Sequence, residues 1–439
     1  MSRFEKILFV VSFATLTFLY GFGACARGWF PKQLLLGAWG QAERTGVFTF
    51  MGQYLPGSPG VPDFLHPQVY DRAGARILEP EKIQPGLTLI TTAGWEPEPK
   101  LINREGEVVH NWQIDFDKLT GAINEPVEVH GSHLLPNGNL LINAGYVGTA
   151  RFDACGRVQW QIPGGHHSIS RAADGSFWVS SISEKRQTKS TEYPEGFPGL
   201  DRPVYLDKIH HVAEDGEILQ TINVIDVLYS NGLQRYIAKT YFGREVDPDI
   251  THLNDVEPLN PSMAKEYPLF EAGDLVVSLK NLNLVFVFDP ESKEVKWHAT
   301  SPFIDQHDPD FLGDGWVGIF DNNSDLTPRG TMLGGSRIVA LQPHTDSTEV
   351  LFPAAHSDTV YTAAQGKWQR LENGNMLLTE SFASRVVEVA PDGRVVWDWV
   401  HETSGNSKVP EVTEGTRYDL TRADVASWPC SSADSTRVR

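Results

Sequence analysis

One phrase recurs along this chain: a turn that ends in glycine, followed by a short apolar strand. It reads PGLTLI from Pro85, NGNLLIN from Asn137, DGSFWVS from Asp174, AGDLVVS from Ala272, DGWVGIF from Asp314 and NGNMLLT from Asn373. After these come a second strand, a turn and a third strand: NREGEVVHNW from Asn103, DACGRVQWQI from Asp153, AEDGEILQTI from Ala213, DPESKEVKWHA from Asp289 and APDGRVVWDWV from Ala390. QPHTDSTEVLF from Gln342 is a degraded copy in the same place. Self-similar units of about 40 to 60 residues, made of short Val, Ile, Leu and Trp runs between Asn-Gly and Asp-Gly turns, are antiparallel hairpin sheets. Six copies in series predict an all-β fold: a six-bladed β-propeller over residues 83–439. The stretch after His401, with Arg417 and Tyr418, is expected to return and close or cover it. A pair of β-sandwiches is the competing architecture, and the repeat disfavours it. The third copy carries an insertion at residues 184–206 and a further polar stretch at 231–250, expected as loops on the face where binding sites sit. Trp112, Trp160, Trp297, Trp397 and Trp399 recur at the third strand of several copies and are read as packing between blades.

The N-terminus follows different rules. Residues 7–26 form an uncharged run long enough to cross a bilayer as a helix, with Arg3 and Lys6 before it and Arg27 and Lys32 after. A retained signal anchor is the first reading. A cleaved signal peptide ending at Ala24-Cys25-Ala26 and a lipoprotein acylated at Cys25 are the alternatives. All three attach or deliver the body to the periplasmic or extracellular side of a membrane. Residues 1–27 are thus the transmembrane or signal segment. Residues 28–82, rich in Gly and Pro and lacking either hydrophobic period, are an irregular lead-in.

Lys and Arg number 37 against 56 Asp and Glu, a net charge of −19. That balance argues against nucleic acid as a partner, because such binding draws on basic residues that displace counterions. The three cysteines, Cys25, Cys155 and Cys430, contain no CxxC pair. They exclude a disulfide framework and a thiolate zinc site, and the body is expected to hold together without staples. No Walker loop, HExxH, GxSxG or dinucleotide fingerprint stands in its proper context.

The histidines are more informative. Eight residues before the turn glycine stand His130, His167 and His307; His252 holds the equivalent place in the fourth copy, and Gly366, beside Gln365, in the last. Three residues further on stand His133, Ser170, Asp255, Asp310 and Gln369. The first strand of each propeller blade lines the central channel, so equivalent positions converge there. The register predicts a ring of imidazoles at one end of the channel. The competing reading is that these histidines only hydrogen-bond between blades. His110, His210, His211, His298 and His401 fall outside the register and are read as surface or strand-end residues. Arg337 begins the second strand of the fifth copy and either offers a planar fork to an oxyanion or is a solvated strand-start arginine.

QHDPDFLGDGWVGIFDNN from Gln306, SRIVAL from Ser336 and QGKWQRLENGNMLLTESFASRVVEVAPDGRVVWDW from Gln365 resemble the bacterial aryl sulfotransferases that work without a sulfonucleotide donor. The resemblance extends over about residues 86–401. It implies a six-bladed propeller, phenols and aryl sulfate esters as small-molecule partners, and sulfuryl transfer through a sulfohistidine without a cofactor. By position it implies that His307 and Arg337 are the oxyanion-binding pair, with His252 or His167 as the other channel histidine. The sulfate-accepting histidine aligns on Gln365-Gly366, which has no imidazole; either His307 or His252 takes its place, or the activity is changed. The expected catalytic set is His252, His307 and Arg337, with His130, His167, Asp310 and Gln365 binding substrate and no metal ligand. Two alternatives remain: a metal-binding propeller, since neutral imidazoles suit zinc, copper or iron, and a non-catalytic propeller scaffold of a membrane complex.

Overall fold

The computed structural model describes residue 15 and residues 64–430, apart from 121–125, 242–247, 326 and 405–406. The expected membrane segment at 7–26 and most of the lead-in lie outside these, Thr15 excepted. Among the described residues no helix is long and apolar enough to cross a membrane. The unit from Phe64 onward is considered below.

Antiparallel meanders follow one another along the chain. Sheet B comprises Val127–Leu134, Leu140–Ala144, Gly148–Phe152 and Val158–Pro163. Sheet C is Gly165–Arg171, Phe177–Ile182, Asp207–Val212 and Ile218–Asn223, and sheet D is Leu253–Pro258, Leu275–Leu279, Leu284–Phe288 and Val295–Ala299. Sheet E is His307–Gly313, Trp316–Asp321, Arg337–Gln342 and Ser347–Phe352. Sheet F is Trp368–Arg370, Met376–Glu380, Arg385–Val389 and Val395–Val400. Sheet A joins the two ends of the chain: Leu87–Gly94, Lys100–Ile102 and Val108–Asn111 pair in order, and Val412–Tyr418 adds antiparallel to the free side of Leu87–Gly94. Arg417 and Tyr418 thus belong to the returning strand that the repeat called for. The fold is mostly β and propeller-like.

Each turn takes the shape its residues dictate. In Asn137-Gly138, glycine adopts φ +84°, and a Cβ there would stand 2.6 Å from the Trp428 ring. Only glycine accepts both the left-handed backbone and the close approach. The recurrent tryptophans bridge sheets: the indole N–H of Trp112 donates to Gly138 O (2.9 Å), that of Trp160 to Glu214 O (3.1 Å) and that of Trp397 to Arg104 O (2.7 Å). The apolar core lies between neighbouring sheets, for example where Ile209, Leu253, Val277 and Phe286 are buried together. The first strands of B, C, D and E contact in turn, and Val412–Tyr418 contacts the first strand of B. Between E and F, the Trp368 backbone and indole N–H groups donate to Asp308 at 2.7 and 2.8 Å. Between F and A, Gln369 exchanges hydrogen bonds with the Arg417 backbone at 3.0 and 2.8 Å.

Three expectations change. The end of the lead-in is structured: Leu65–Pro67 pairs with Lys408–Pro410, and Gly74–Ile77 extends sheet F along Val395–Val400. The body carries a staple after all. Cys155 and Cys430 form a disulfide across 275 residues, tying the turn before Val158–Pro163 to the segment after the C-terminal helix Arg422–Ala426. A two-cysteine pairing leaves no spacing pattern in a sequence, so only the fold brings it out. Finally, His110 and His210 are buried rather than superficial; His110 Nε2 bonds Ala154 O at 2.9 Å, and His210 Nδ1 bonds the Thr221 hydroxyl at 2.8 Å.

Candidate active site

Strand pairing slips at the same place in four sheets: between Val129 and Gly131, Gly165 and Ile169, Leu253 and Asp255, and His307 and Asp310. Such a bulge breaks the two-residue alternation of a strand and re-aims the neighbouring side chains. The effect is greatest in sheet C, where the adjacent His166 and His167 both turn into the site, with rings 4.4 Å apart. His252 is bent in by a left-handed backbone (φ +53°), as are Asp308 (φ +48°) and Gln365 (φ +57°). Non-glycine residues seldom adopt this conformation, and it collects at functional sites.

The register holds for the imidazoles. His130 stacks on His167 at 4.2 Å, His167 meets His252 at 4.9 Å, and His166 meets His252 at 5.2 Å. His307 lies close enough for its charge to act on His167, and that of His252 to act on His307. Carboxylates back three of the rings. His130 Nε2 stands 2.8 Å from Glu128, and His252 Nδ1 lies 2.5 Å from Asp249. His166 faces Asp207 with Nδ1 at 3.4 Å and Asp249 with Nε2 at 3.6 Å. Asp249 also accepts the Tyr146 hydroxyl at 2.9 Å, while Asp207 is held by Thr251 Oγ1 (2.5 Å) and Leu253 N (2.8 Å). Burial pushes His167 well below its ordinary value, helped by repulsion from the neighbouring imidazoles. Burial also opposes charge on His166, but the two carboxylates outweigh it and raise its pKa.

His307 has a fixed proton. Asn322 donates both amide hydrogens, to Thr362 O (3.0 Å) and Gln365 O (2.6 Å), so its oxygen must face His307 Nδ1 at 2.7 Å. Asp305 O accepts from the same nitrogen at 2.9 Å. Nδ1 therefore carries hydrogen and Nε2 a lone pair. Burial, with the nearby Lys280 charge, lowers the His307 pKa to about 3. The Lys280 charge acts on both His307 and His252, and among the described residues no carboxylate pairs with it.

The other expected residues are placed differently. Arg337 is engaged: Nε lies 2.9 Å from Asp321 Oδ2, and Nη2 donates to the same oxygen (2.5 Å) and to Pro302 O (2.9 Å). It thereby holds the residue preceding Asn322. Gln365 turns its amide to Glu411 at 2.7 Å, and Glu411 in turn meets His66. Gly366 has φ +102°, and a Cβ there would stand 2.5 Å from Phe320 Cε1 and 3.0 Å from Thr362. Of the two aligned residues, Gln365 is engaged with Glu411, and Gly366 accepts a Cβ only if the Phe320 ring shifts. Gly366→Ala is expected to cost about 2–4 kcal/mol from overpacking and backbone strain together; urea unfolding measures it, and an unchanged midpoint would contradict this packing.

Asp310 pairs with Glu257 rather than with an imidazole. Together with the buried Asp255 they form a carboxyl cluster served by Lys367, whose Nζ is 2.8 Å from Asp308. Burial raises Glu257 to about 7 and Asp255 and Asp310 well above the usual carboxylate range. The folded chain keeps protons that the unfolded chain releases above about pH 4. The stability they confer is complete below that pH and declines as pH rises toward 7. Asp310→Asn, which never ionises, is expected to flatten the decline; urea midpoints at pH 5 and 8 check it, and equal slopes in both proteins would argue against a shared proton.

Tyr146, whose ring lies 5.4 Å from His166, also lines a cleft of about 520 Å³ with Ile162, Pro163, Ser183 and Tyr205. Glu184 and Tyr205, within the expected 184–206 insertion, are on its wall. Sequence reasoning missed His166, Asp207, Asp249, Asn322 and Lys280. Only Asp249, three residues before His252, left a readable spacing.

A family model described as arylsulfotransferase (ASST) matches residues 165–402. No curated protein matches the chain. Among solved structures, a protein of unknown function from Bacteroides caccae is similar with a TM-score of 0.47 and 14% identity, over 72% of this chain and 94% of that one. Streptogramin B lyase is similar with a TM-score of 0.41 and 10% identity, over 78% and 88% of the two chains. Virginiamycin B lyase from Staphylococcus aureus is similar with a TM-score of 0.35 and 11% identity, over 67% and 86%. The family match takes in sheets C to F, with His166, His167, His252, His307, Lys280 and Asn322, and by that match the chain belongs to the arylsulfotransferase (ASST) family.

Proposed function

We propose that this chain is a six-bladed propeller enzyme, tethered to a membrane through residues 7–26 with its body outside the cytoplasm, that moves a sulfuryl group from an aryl sulfate ester to a phenol. Family membership supports the chemistry, and the observation that carries the mechanism is the Asn322–His307 hydrogen bond, which leaves a lone pair on Nε2 of a neutral, buried imidazole and so supports that atom as nucleophile. In the first half-reaction Nε2 attacks sulfur: the N–S bond forms, the S–O bond to the aryl group breaks, and the departing phenolate takes a proton. In the second, the acceptor phenol oxygen attacks the same sulfur, the N–S bond breaks and the acceptor's proton is released, so the overall exchange balances. Sulfuryl transfer resembles phosphoryl transfer in its loose transition state, where positioning and charge on the equatorial oxygens matter most. Lys280 supplies that charge in this reading. Asn322 and the Asp305 carbonyl hold the Nδ1 proton as the ring turns cationic. Arg337 positions Asn322 through Asp321, and the cleft beside Tyr146 receives an aromatic ring.

The test is phenol release from a chromogenic aryl sulfate by the purified body, with and without an acceptor phenol. Acceptor-dependent turnover with parallel double-reciprocal plots is the expected result. No exchange from about pH 6 to 9 by a folded protein would end this reading.

A further inference from the structure

The three imidazoles of His166, His167 and His252 each offer a ring nitrogen within 4.8 Å of the others. His166 is fully buried, and neither of its ring nitrogens makes a hydrogen bond; His167 Nδ1 and Asp207 Oδ1 are also buried without one. A buried polar atom left without a hydrogen bond loses the solvation it had in water and gains nothing in return. His166 Nδ1 and Asp207 Oδ1 face one another at 3.4 Å, beyond a good hydrogen bond, and with His166 Nε2 and His167 Nδ1 they gather donor atoms that one ion could share. The surrounding carboxylates are arranged for one. Asp249 takes the Nδ1 proton of His252, and Asp207, anchored by Thr251 and Leu253, faces Nδ1 of His166. In His252 this leaves Nε2 with a lone pair, the arrangement by which carboxylates orient histidine ligands and raise their basicity, whereas His166 has a carboxylate facing each ring nitrogen, Asp207 at Nδ1 and Asp249 at Nε2. Tyr146, donating to Asp249, fixes that carboxylate in turn.

We infer that His166, His167 and His252 bind one zinc-class transition-metal dication, with Asp207 and Asp249 as the carboxylates behind the ligands. Three neutral imidazoles suit zinc, cobalt, nickel or copper, and disfavour magnesium and calcium, which take oxygen ligands. Ligand atoms of a tetrahedral zinc site lie about 3.3 Å apart, so modest side-chain rotation closes the site around the ion, and three protein ligands would leave one position open. The inference stands apart from the sulfuryl-transfer reading, which routes no step through these three side chains.

The experiment uses the full chain grown with added zinc, its metal content measured after dialysis, and Co²⁺ loading followed by visible absorption. About one equivalent of zinc per chain and a tetrahedral Co²⁺ band are expected. Asp249→Asn, which preserves shape, is expected to weaken Zn²⁺ binding about 10–100-fold. His166→Ala should abolish the Co²⁺ band, and His344→Ala, at an exposed site, should not affect it. A folded wild-type protein that binds neither Zn²⁺ nor Co²⁺ overturns the inference, leaving His166 as an imidazolium held between two carboxylates. Metal retained at full affinity in both Asp249→Asn and His166→Ala overturns it as well, because binding then occurs elsewhere. Aryl sulfate turnover, assayed separately, distinguishes this failure from failure of the sulfuryl-transfer reading: loss of turnover with metal bound counts against the latter alone.

Discussion

If His307 is the nucleophile proposed above, His307→Ala is expected to lower aryl sulfate exchange by on the order of 10⁴-fold, because its removal eliminates the covalent route and leaves only binding and charge stabilisation. The loss should fall on kcat and on kcat/KM alike. Its partners predict a graded series. Asn322→Leu removes the acceptor that fixes the Nδ1 proton, letting the ring present N–H at either nitrogen, and should cost less than loss of the ring. Lys280→Met should raise the barrier by removing the cation whose charge acts on His307. The pH dependence has a definite sign. Burial keeps the His307 pKa at about 3, so the free base persists well below neutrality and its protonation does not limit the rate between about pH 5 and 8. Initial rates of phenol release, with melting curves to verify folding, measure all three variants. A His307→Ala enzyme within about tenfold of wild type would remove this residue from the chemistry.

Breaking the Cys155–Cys430 bond is expected to destabilise the body by up to about 5 kcal/mol, the chain-entropy value for so long a loop, with native-state relaxation reducing it. The cost has a structural locus. The bond anchors the segment carrying Trp428, which packs with Trp112 and His110 and donates from its indole to Pro136 O at 2.9 Å. Immediately before it lies Val412–Tyr418, the strand that completes sheet A. Release of this end should therefore lower the cooperativity of unfolding as well as its midpoint. Urea curves for Cys155→Ser against wild type, with and without reductant, provide the measurement. Coincident curves would mean that the returning strand holds by packing and pairing alone.

The parts of this molecule that follow from periodicity were legible in its sequence. The glycine turn before each apolar strand marked the sheets, and counting back from that turn gave His130, His167 and His307, with His252 at the equivalent place of the fourth copy; His130, His167 and His252 meet. Counting failed where the backbone leaves its period. His166 stands next to His167 and in a regular strand would point the opposite way; the bulge before Ile169 turns both inward. The same irregularity hid the pairing of Asp310 with Glu257 below the imidazoles. Asn322 and Lys280 stand in the segments just past the second strands of sheets E and D, where loop conformation rather than strand spacing decides where a side chain goes. Arg337 shows the opposite limit. Its position at the start of a strand was readable, but the Asp321 carboxylate that occupies its fork belongs to the neighbouring strand. Gly366 carried a signal of its own: a glycine beside Gln365 at this point of the last copy marks a left-handed backbone crowded by the Phe320 ring.

The most direct test of a transferable sulfuryl group on His307 is intact-protein mass spectrometry, followed by peptide mapping, after brief incubation with an aryl sulfate and no acceptor. A gain of about 80 Da on the peptide containing His307, discharged by adding a phenol and absent from His307→Ala, is the result expected of a covalent intermediate. An adduct that maps to His252 or another residue, or none on a folded protein that still turns over substrate, would contradict it.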